Sequence, residues 1–371
     1  MDELVRFELA GGRQQVAVAT LVREKPLNSL LLETIDQLTS KINAWLADDS
    51  IACIVLDSIS RRAFCAGADI TALYRSIKQA DGGENFYAQS FFLNEYTLNY
   101  TLHTATKPIV VWGNGIVMGG GLGLLGGCSH RIGTPSTRIA MPEITIGLFP
   151  DAGGTKFLSG MPDHLGLFAG LTGCQLSASD ALGLDLLDII VDADKHDEIM
   201  GGLAHLKWTA DEQENSRLIT AMLEQHQTSE SVAANLLSRR ERVTPLMNEC
   251  LSAEKFFAVF DAVEPFGDEW LDGAMNTYRN GSPATARVTV EQMRRAKGMS
   301  LADMFRMELV IAYQCIRHPD LPEGIRALLI DKDRNPQWRY KSAQEIPDEY
   351  VEEHFKPAWS GAHPLAELGK Q

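Results

Sequence analysis

At 371 residues and 45% apolar content, the chain is long enough to bury one large core or two ordinary ones, and its composition is globular. A formal charge of −15 argues against non-specific nucleic-acid binding, which needs a concentrated basic surface. No window is apolar for long enough to span a bilayer, and Met1-Asp2-Glu3 lacks the basic start of a signal peptide, so a soluble, unprocessed, cytoplasmic protein with no membrane partner is expected.

In chain order, Gln14 to Val22 carries apolar residues as a strand does (Val16, Val18, Leu21), and Lys25-Pro26-Leu27-Asn28 reads as a turn. Leu31, Ile35, Leu38, Ile42 and Trp45 fall at helical spacing over Leu30 to Leu46, with Asn28 or Ser29 as N-cap. Ile51 to Leu56 is a short β-rich run, Glu84 to His103 a second helix, and Pro108 to Val111 the opening of another strand. This strand–helix rhythm predicts an α/β fold. Beyond Val191 the pattern is helical: Glu212 to His226, Ser231 to Arg240, a series from Ser282 through Met293, Leu301 to Cys315, and Glu323 to Leu329. The sequence therefore divides into a core over 1–190 and a mainly helical region over 191–371.

Six cysteines (Cys53, Cys65, Cys128, Cys174, Cys250, Cys315) occur without a C-x-x-C pair, which suits small buried hydrophobes in a reducing compartment. The nine histidines are dispersed, and no metal-binding pattern is present, so neither a metal nor a separate cofactor is expected. Gly121-Leu122-Gly123-Leu124-Leu125-Gly126 satisfies the dinucleotide fingerprint, but Gly119 and Gly120 displace it from the preceding strand-like run. Gly127-Cys128-Ser129-His130-Arg131 fails as a nucleophile elbow at its last position.

The densest chemistry lies between Met118 and Gly154. Met118-Gly119-Gly120-Gly121 lets the main chain approach a ligand with its N–H groups forward, and Phe64-Cys65-Ala66-Gly67-Ala68-Asp69-Ile70 is a second small-residue loop, so two donors can hold an oxyanion. Downstream, Met141-Pro142-Glu143-Ile144-Thr145-Ile146-Gly147-Leu148-Phe149-Pro150-Asp151-Ala152-Gly153-Gly154 sets two carboxylates among apolar residues. Taken singly, Glu143 reads equally well as a first-turn carboxylate and Asp151 as an N-cap. Together, with apolar walls that raise a carboxyl's pKa, they read as acid/base machinery. Glu95 lies on the helical run Phe91-Phe92-Leu93-Asn94-Glu95-Tyr96, where pattern alone leaves a solvated face and a functional position open.

These segments, with Glu323-Gly324-Ile325-Arg326-Ala327, resemble the crotonase (enoyl-CoA hydratase/isomerase) superfamily over nearly the whole chain, thinning between about Val191 and Asn280. Asp151 and the tail run Leu329-Ile330-Asp331-Lys332-Asp333-Arg334-Asn335-Pro336-Gln337-Trp338 are similar to the branch that hydrolyses 3-hydroxyisobutyryl-CoA. The resemblance implies a crotonase-like ββα spiral with a helical C-terminal region, and an acyl-CoA substrate whose CoA is part of the substrate rather than a cofactor. It implies an oxyanion hole at Ala68 and Gly120, catalysis by Glu143 and Asp151, and substrate contacts from Glu95, Gly120, Glu143 and Asp151. It further implies CoA contacts from Lys25, Leu27, Ala66, Ala68, Asp69 and Ile70. Phosphates need a local basic spot, for which Arg23, Lys25, Arg326 and Lys332 are candidates.

Gly123 stands where a hydratase of the family has its second glutamate, which disfavours water addition to an enoyl-CoA. The implied reaction is hydrolysis of a 3-hydroxyacyl-CoA thioester, 3-hydroxyisobutyryl-CoA of valine degradation first among them. A hydratase or isomerase of the same fold and a non-catalytic acyl-CoA-binding member stay open as alternatives. Crotonases typically assemble as trimers through their C-terminal helices, whereas a longer helical tail can cover its own chain's site, so a monomer or small homo-oligomer is expected.

Overall fold

The computed structural model describes residues 3–370. Its contacts group the chain into two units interleaved in sequence. The first takes the described residues of Met1–Ala68 with Thr97–Ile139 and Leu176–Ala234; the second takes Asp69–Tyr96, Ala140–Gln175 and the described residues of Asn235–Gln371. The sequence places one boundary at about residue 190, but the first 190 residues contribute to both units.

The first unit is a strand-built layer. One sheet has the order β1 (Val5–Ala10), β2 (Val16–Leu21), β3 (Cys53–Ser58), β5 (Ile109–Gly113), β7 (His130–Gly133), β10 (Ile189–Ile190); the other runs β4 (Ala63–Cys65), β6 (Ile116–Met118), β8 (Arg138–Ala140), β9 (Leu176–Ser177). β8 ends at the unit's boundary. Only β1 is antiparallel in the larger sheet, where Val5 pairs with Leu21; β2, β3, β5, β7 and β10 run parallel. Along the chain, β3 and β4, β5 and β6, and β7 and β8 each leave the larger sheet for the smaller one. The helices α2 (Ile70–Ala80) and α3 (Phe86–Thr104) follow the first pair, and α4 (Gly120–Gly126) follows the second. This is the ββα spiral that the resemblance implies.

Burial explains which strands the pattern reveals. β5 is buried at every position and β3 at all but Ser58, as parallel strands covered on both faces must be. β1, at the sheet edge, is largely solvated. Val16, Val55, Val110, Trp112 and Ile132 pack with Ile199 and Leu203 of the helix His196–His205, and with Ile219 and Leu223 of Glu212–Glu224. All six cysteines are buried and none is in a disulfide among the described residues.

The second unit is mainly helical. Ser282 caps Pro283–Arg295 by accepting from Thr285 N, and Ser300 caps Leu301–Arg317 by accepting from Asp303 N. The helix expected over Ser231 to Arg240 is displaced: a 3₁₀ turn covers Leu237–Arg239 and the α-helix runs Arg240–Ser252. Residues 232 to 236 remain an irregular connection, where the carbonyl of Val232 accepts from Ser179 Oγ at 2.6 Å.

The helix α1 (Leu32–Leu46) starts later than expected, with Leu31 rather than Asn28 or Ser29 at its N-cap. Those two side chains are engaged elsewhere. Ser29 Oγ accepts from Arg23, while Asn28 Nδ2 donates to the carbonyls of Ala63 at 3.3 Å and Phe64 at 3.0 Å. The turn before α1 passes through Leu27 (φ 53) and Asn28 (φ 57), a region that asparagine tolerates better than most residues. It is laced to the loop after β4 by Ala66 N to Leu27 O at 3.0 Å and Leu30 N to Gly67 O at 2.8 Å. Asn28→Ala is therefore expected to destabilise the protein by about 2–3 kcal/mol, from lost hydrogen bonds and the left-handed backbone together. Asn28→Gly, which relieves only the backbone part, should lie between alanine and wild type in urea unfolding; equal stability of alanine and wild type would show that the tie is idle.

Candidate active site

In the first unit two loops meet where side chains are forbidden. A Cβ on Gly67 (φ 91) would lie 2.9 Å from Met118 O and 3.3 Å from Gly120 N, and one on Gly121 would lie 2.2 Å from Cys65 O. Glycine at both positions is what lets the backbones of 65–67 and 118–121 touch. The two expected donors, Ala68 and Gly120, flank this contact. Gly120 is the first residue of α4, so its N–H has no acceptor within the helix, and Ala68 is fixed by a bridge to Leu30. Of the expected CoA residues, Leu27 and Ala66 are joined by the hydrogen bond above, and Lys25 is exposed in the same turn. Asp69 and Ile70 belong to the second unit, where Asp69 caps α2 by accepting from Ala72 N at 3.3 Å and Ile70 is the helix's half-buried first residue.

The second unit gathers carboxyls. Glu95 on α3, Glu143 at the head of the 3₁₀ helix Glu143–Ile146, and Asp151 in the following turn are 1%, 6% and 4% exposed, and Glu308, from the middle of Leu301–Arg317, is 0% exposed. Burial pushes the Glu143 carboxyl well above its ordinary value, and the neighbouring Asp151 charge pushes it further. Burial likewise raises Asp151 to about 7, against the pull of the Tyr96 hydroxyl. Glu95 is raised well above its usual range by burial first, then by the charges of Asp151, Glu143 and Glu308. Glu95 Oε1 and Glu143 Oε2 find no hydrogen-bond partner. The structure thus brings Glu95, Glu143 and Asp151 into one electrostatically linked cluster, and such groups titrate together rather than one by one.

Asp151 is not an N-cap. The helix Gly154–Gly160 is preceded by Gly153 in the left-handed region; Gly154 N donates to the Asp151 carbonyl at 2.7 Å, and the amides on either side go to Glu308, Gly153 N to Oε2 at 2.8 Å and Thr155 N to Oε1 at 2.9 Å. The Asp151 carboxylate is thereby left to accept from Tyr96 Oη at 2.8 Å. Gln292 Nε2 donates to Pro150 O at 2.8 Å and to Thr155 Oγ1 at 2.7 Å. Tyr96, Gln292 and Glu308 are missed by motif reading. Glu308 does leave a signal, as a lone acid in the apolar run Met307 to Ala312, three residues after Phe305 on the face that helical spacing buries.

The basic candidates fare differently. Arg326 is held by Glu323, by Asp331 at 2.6 Å and by Asp333 at 2.8 Å, so it serves an acidic cluster of its own segment. Arg23 donates to Ser29. Lys25 and Lys332 are exposed. Among the described residues, no group of His, Cys, Asp and Glu is arranged to hold a metal ion.

A raised carboxyl pKa fixes a sign. With Asp151 near 7 when folded and near 3.8 when unfolded, the folded state binds the extra proton between those values, so stability falls as pH rises through that window and is lowest above it. Asp151→Asn removes the cost. The variant is expected to be more stable than wild type by about 1–3 kcal/mol at pH 8, the gap closing toward pH 4. Urea unfolding across that range checks this, and a variant less stable at pH 8 would contradict the assignment of burial as the dominant cause.

Comparison with known proteins agrees with this architecture. Residues 16–355 match the family model described as enoyl-CoA hydratase/isomerase. The chain is 33% identical over 340 residues to the 3-hydroxyisobutyryl-CoA hydrolase, mitochondrial, of Gallus gallus, covering 92% of this chain and 86% of the relative. With the protein of the same name from Homo sapiens it shares 32% over 339 residues, covering 91% and 86%. Among solved structures it resembles a carnitinyl-CoA dehydratase from Mycobacterium thermoresistibile, with a TM-score of 0.83 at 34% identity over 96% of this chain and 97% of that one. It also resembles an enoyl-CoA hydratase from Rhodobacter sphaeroides, with a TM-score of 0.81 at 26% identity over 96% and 98%. No helix of the described residues is long and apolar enough to cross a membrane. Family model, relatives and spiral agree: the chain belongs to the enoyl-CoA hydratase/isomerase family.

Proposed function

We propose that this protein hydrolyses a 3-hydroxyacyl-CoA thioester, with 3-hydroxyisobutyryl-CoA as substrate and CoA and 3-hydroxyisobutyrate as products, a step of valine degradation. The observation that carries the reading is the buried, electrostatically linked pair Glu143 and Asp151; the family resemblance adds that Gly123 stands where a hydratase has a second glutamate. The names of the Gallus gallus and Homo sapiens relatives support it. The names of the two solved structures favour a second reading, a hydratase or dehydratase.

In the proposed mechanism the amides of Ala68 and Gly120 stabilise the charge that develops on the thioester oxygen, worth about 3–4 kcal/mol for one such donor. Two carboxyls whose environments raise both pKa values share protons unequally near neutrality, one serving as base and the other as acid. Glu143 takes the base role, activating water or attacking the carbonyl itself. Asp151 gives its proton to the thiolate as the carbon–sulfur bond breaks. Glu95, with Oε1 unpartnered, accepts a hydrogen bond from the 3-hydroxyl.

Two measurements test this. The protein should release thiol from 3-hydroxyisobutyryl-CoA and add water to crotonyl-CoA negligibly, and Glu143→Gln should lower kcat for thiol release by about 10²–10⁴-fold while acyl-CoA still binds. Efficient crotonyl-CoA hydration with little thiol release would promote the second reading. Separately, Glu95→Ala should erode the preference for 3-hydroxyisobutyryl-CoA over isobutyryl-CoA in kcat/KM by at least about tenfold, because a site built around a hydroxyl rejects the analogue that lacks it. An unchanged ratio would mean that the hydroxyl is read elsewhere.

A further inference from the structure

We propose that Glu308 is a positioning residue for Asp151, holding the turn that carries it through the amides of Gly153 and Thr155. The proposal rests on the hydrolase reading only for the reaction used as a kinetic readout.

Locally this turn is closed by one hydrogen bond, Gly154 N to Asp151 O at 2.7 Å, which leaves the Gly153 and Thr155 amides to be met from elsewhere. After Pro150 and Asp151 come Ala152 at φ 52 and Gly153 at φ 89, and an alanine stays in the left-handed region only when its surroundings impose it. Glu308 supplies the imposition from 155 and 153 residues away in sequence, one carboxylate oxygen on each amide at 2.8 and 2.9 Å. A carboxylate suits the task because it presents two acceptors; an amide in its place would turn an NH₂ toward one of the two donors. Phe305, one turn earlier on the same helix, packs against the Tyr96 ring with centroids 6.1 Å apart, and Tyr96 orients the Asp151 carboxylate at 2.8 Å. One helix face thus orders both the backbone beyond Asp151 and the ring that holds its side chain. Gln292 secures the carbonyl of Pro150, just before it.

The same contact links the turn to pH. The titratable groups acting on one another here are Asp151, Glu95, Glu143 and Tyr96 together with Glu308, with the buried Cys315 thiol also within reach of the Asp151 charge, and the uncharged neighbours are Thr155 and Gln292. Burial raises Glu308 to about 7, and the donors on Thr155 and Gly153 pull it back down. Ionised, Glu308 accepts from both amides; protonated, it gives up part of that capacity, so the turn slackens as pH falls through about 7.

The test uses the whole protein and three readouts on wild type, Glu308→Gln and Glu308→Ala: thiol release from 3-hydroxyisobutyryl-CoA, its pH profile, and hydrogen exchange of the amides in 150–157, with circular dichroism to establish the folded fraction. Misplacing a reacting group by about 1 Å can cost about 100-fold, so kcat per folded molecule should drop about 10–100-fold in Glu308→Gln and further in Glu308→Ala, with KM within about threefold. The Gly153 and Thr155 amides should exchange faster in both variants, and the acid limb of kcat should flatten in Glu308→Gln. A merely structural cap would lower the folded fraction and leave kcat per folded molecule unchanged, which overturns the proposal. So would a change confined to KM, or unaltered amide exchange in folded Glu308→Gln. If wild type released no thiol, the hydrolase reading would fall by itself; amide exchange, and kcat for the acyl-CoA reaction wild type does catalyse, would then decide the role of Glu308.

Discussion

The second unit is governed by the burial of Glu95, Glu143, Asp151 and Glu308, which pair with no cation among the described residues. Among the described residues, the charges that act most strongly on Glu95 and Glu143 are other carboxylates, and hydrogen-bond donors do the rest. A carboxylate taken out of water is tolerated only if it is neutralised or given donors. Glu308 receives two amides and Asp151 a tyrosine hydroxyl, whereas Glu95 and Glu143 each keep one buried oxygen unpartnered. An unsatisfied buried polar atom costs about 1–3 kcal/mol, and a fold tolerates such costs where a ligand can later supply the missing donor.

The sequence reveals the fold best where burial is one-dimensional. β3 and β5 are continuous apolar runs because both faces are covered, and α1 shows its buried stripe at Ile35, Leu38, Ile42 and Trp45. Element ends are less legible, because caps compete with tertiary work. Asn28 and Ser29 have the chemistry of N-caps, yet Asn28 ties down Ala63 and Phe64 across 35 and 36 residues, and Ser29 receives Arg23. The interleaving of the units is illegible for the same reason. Periodicity shows that a segment such as Phe86 to Tyr96 is helical, but nothing in it says which partners bury it.

The site follows the same division. Glu143 and Asp151 stand out because each follows a proline within an apolar run, and both prove buried and linked. What local pattern cannot show is whether the Asp151 side chain caps the next helix. That depends on Tyr96, 55 residues distant, which takes the carboxylate, and on Glu308, more than 150 residues distant, which takes the amides a cap would have used. The nearer half of the site is written in motifs, and the half that holds it in place is written in packing.

The two kinds of functional group also differ in how they tolerate change. The loops at Gly67 and Gly121 touch because neither carries a Cβ, so any side chain there collides with a backbone oxygen, and the amides they position have partial charges that no pH alters. The carboxyls are tuned instead by burial and by one another, so moving or deleting one resets the rest. In the proposed reaction the thioester-polarising step would rest on a backbone geometry that pH leaves alone but that a side chain at Gly67 or Gly121 would break, whereas the fate of the polarised carbonyl would rest on groups whose number and placement can vary one residue at a time. The reaction proposed for this chain, with Gly123 in place of a hydratase glutamate and Asp151 added, is one such variation.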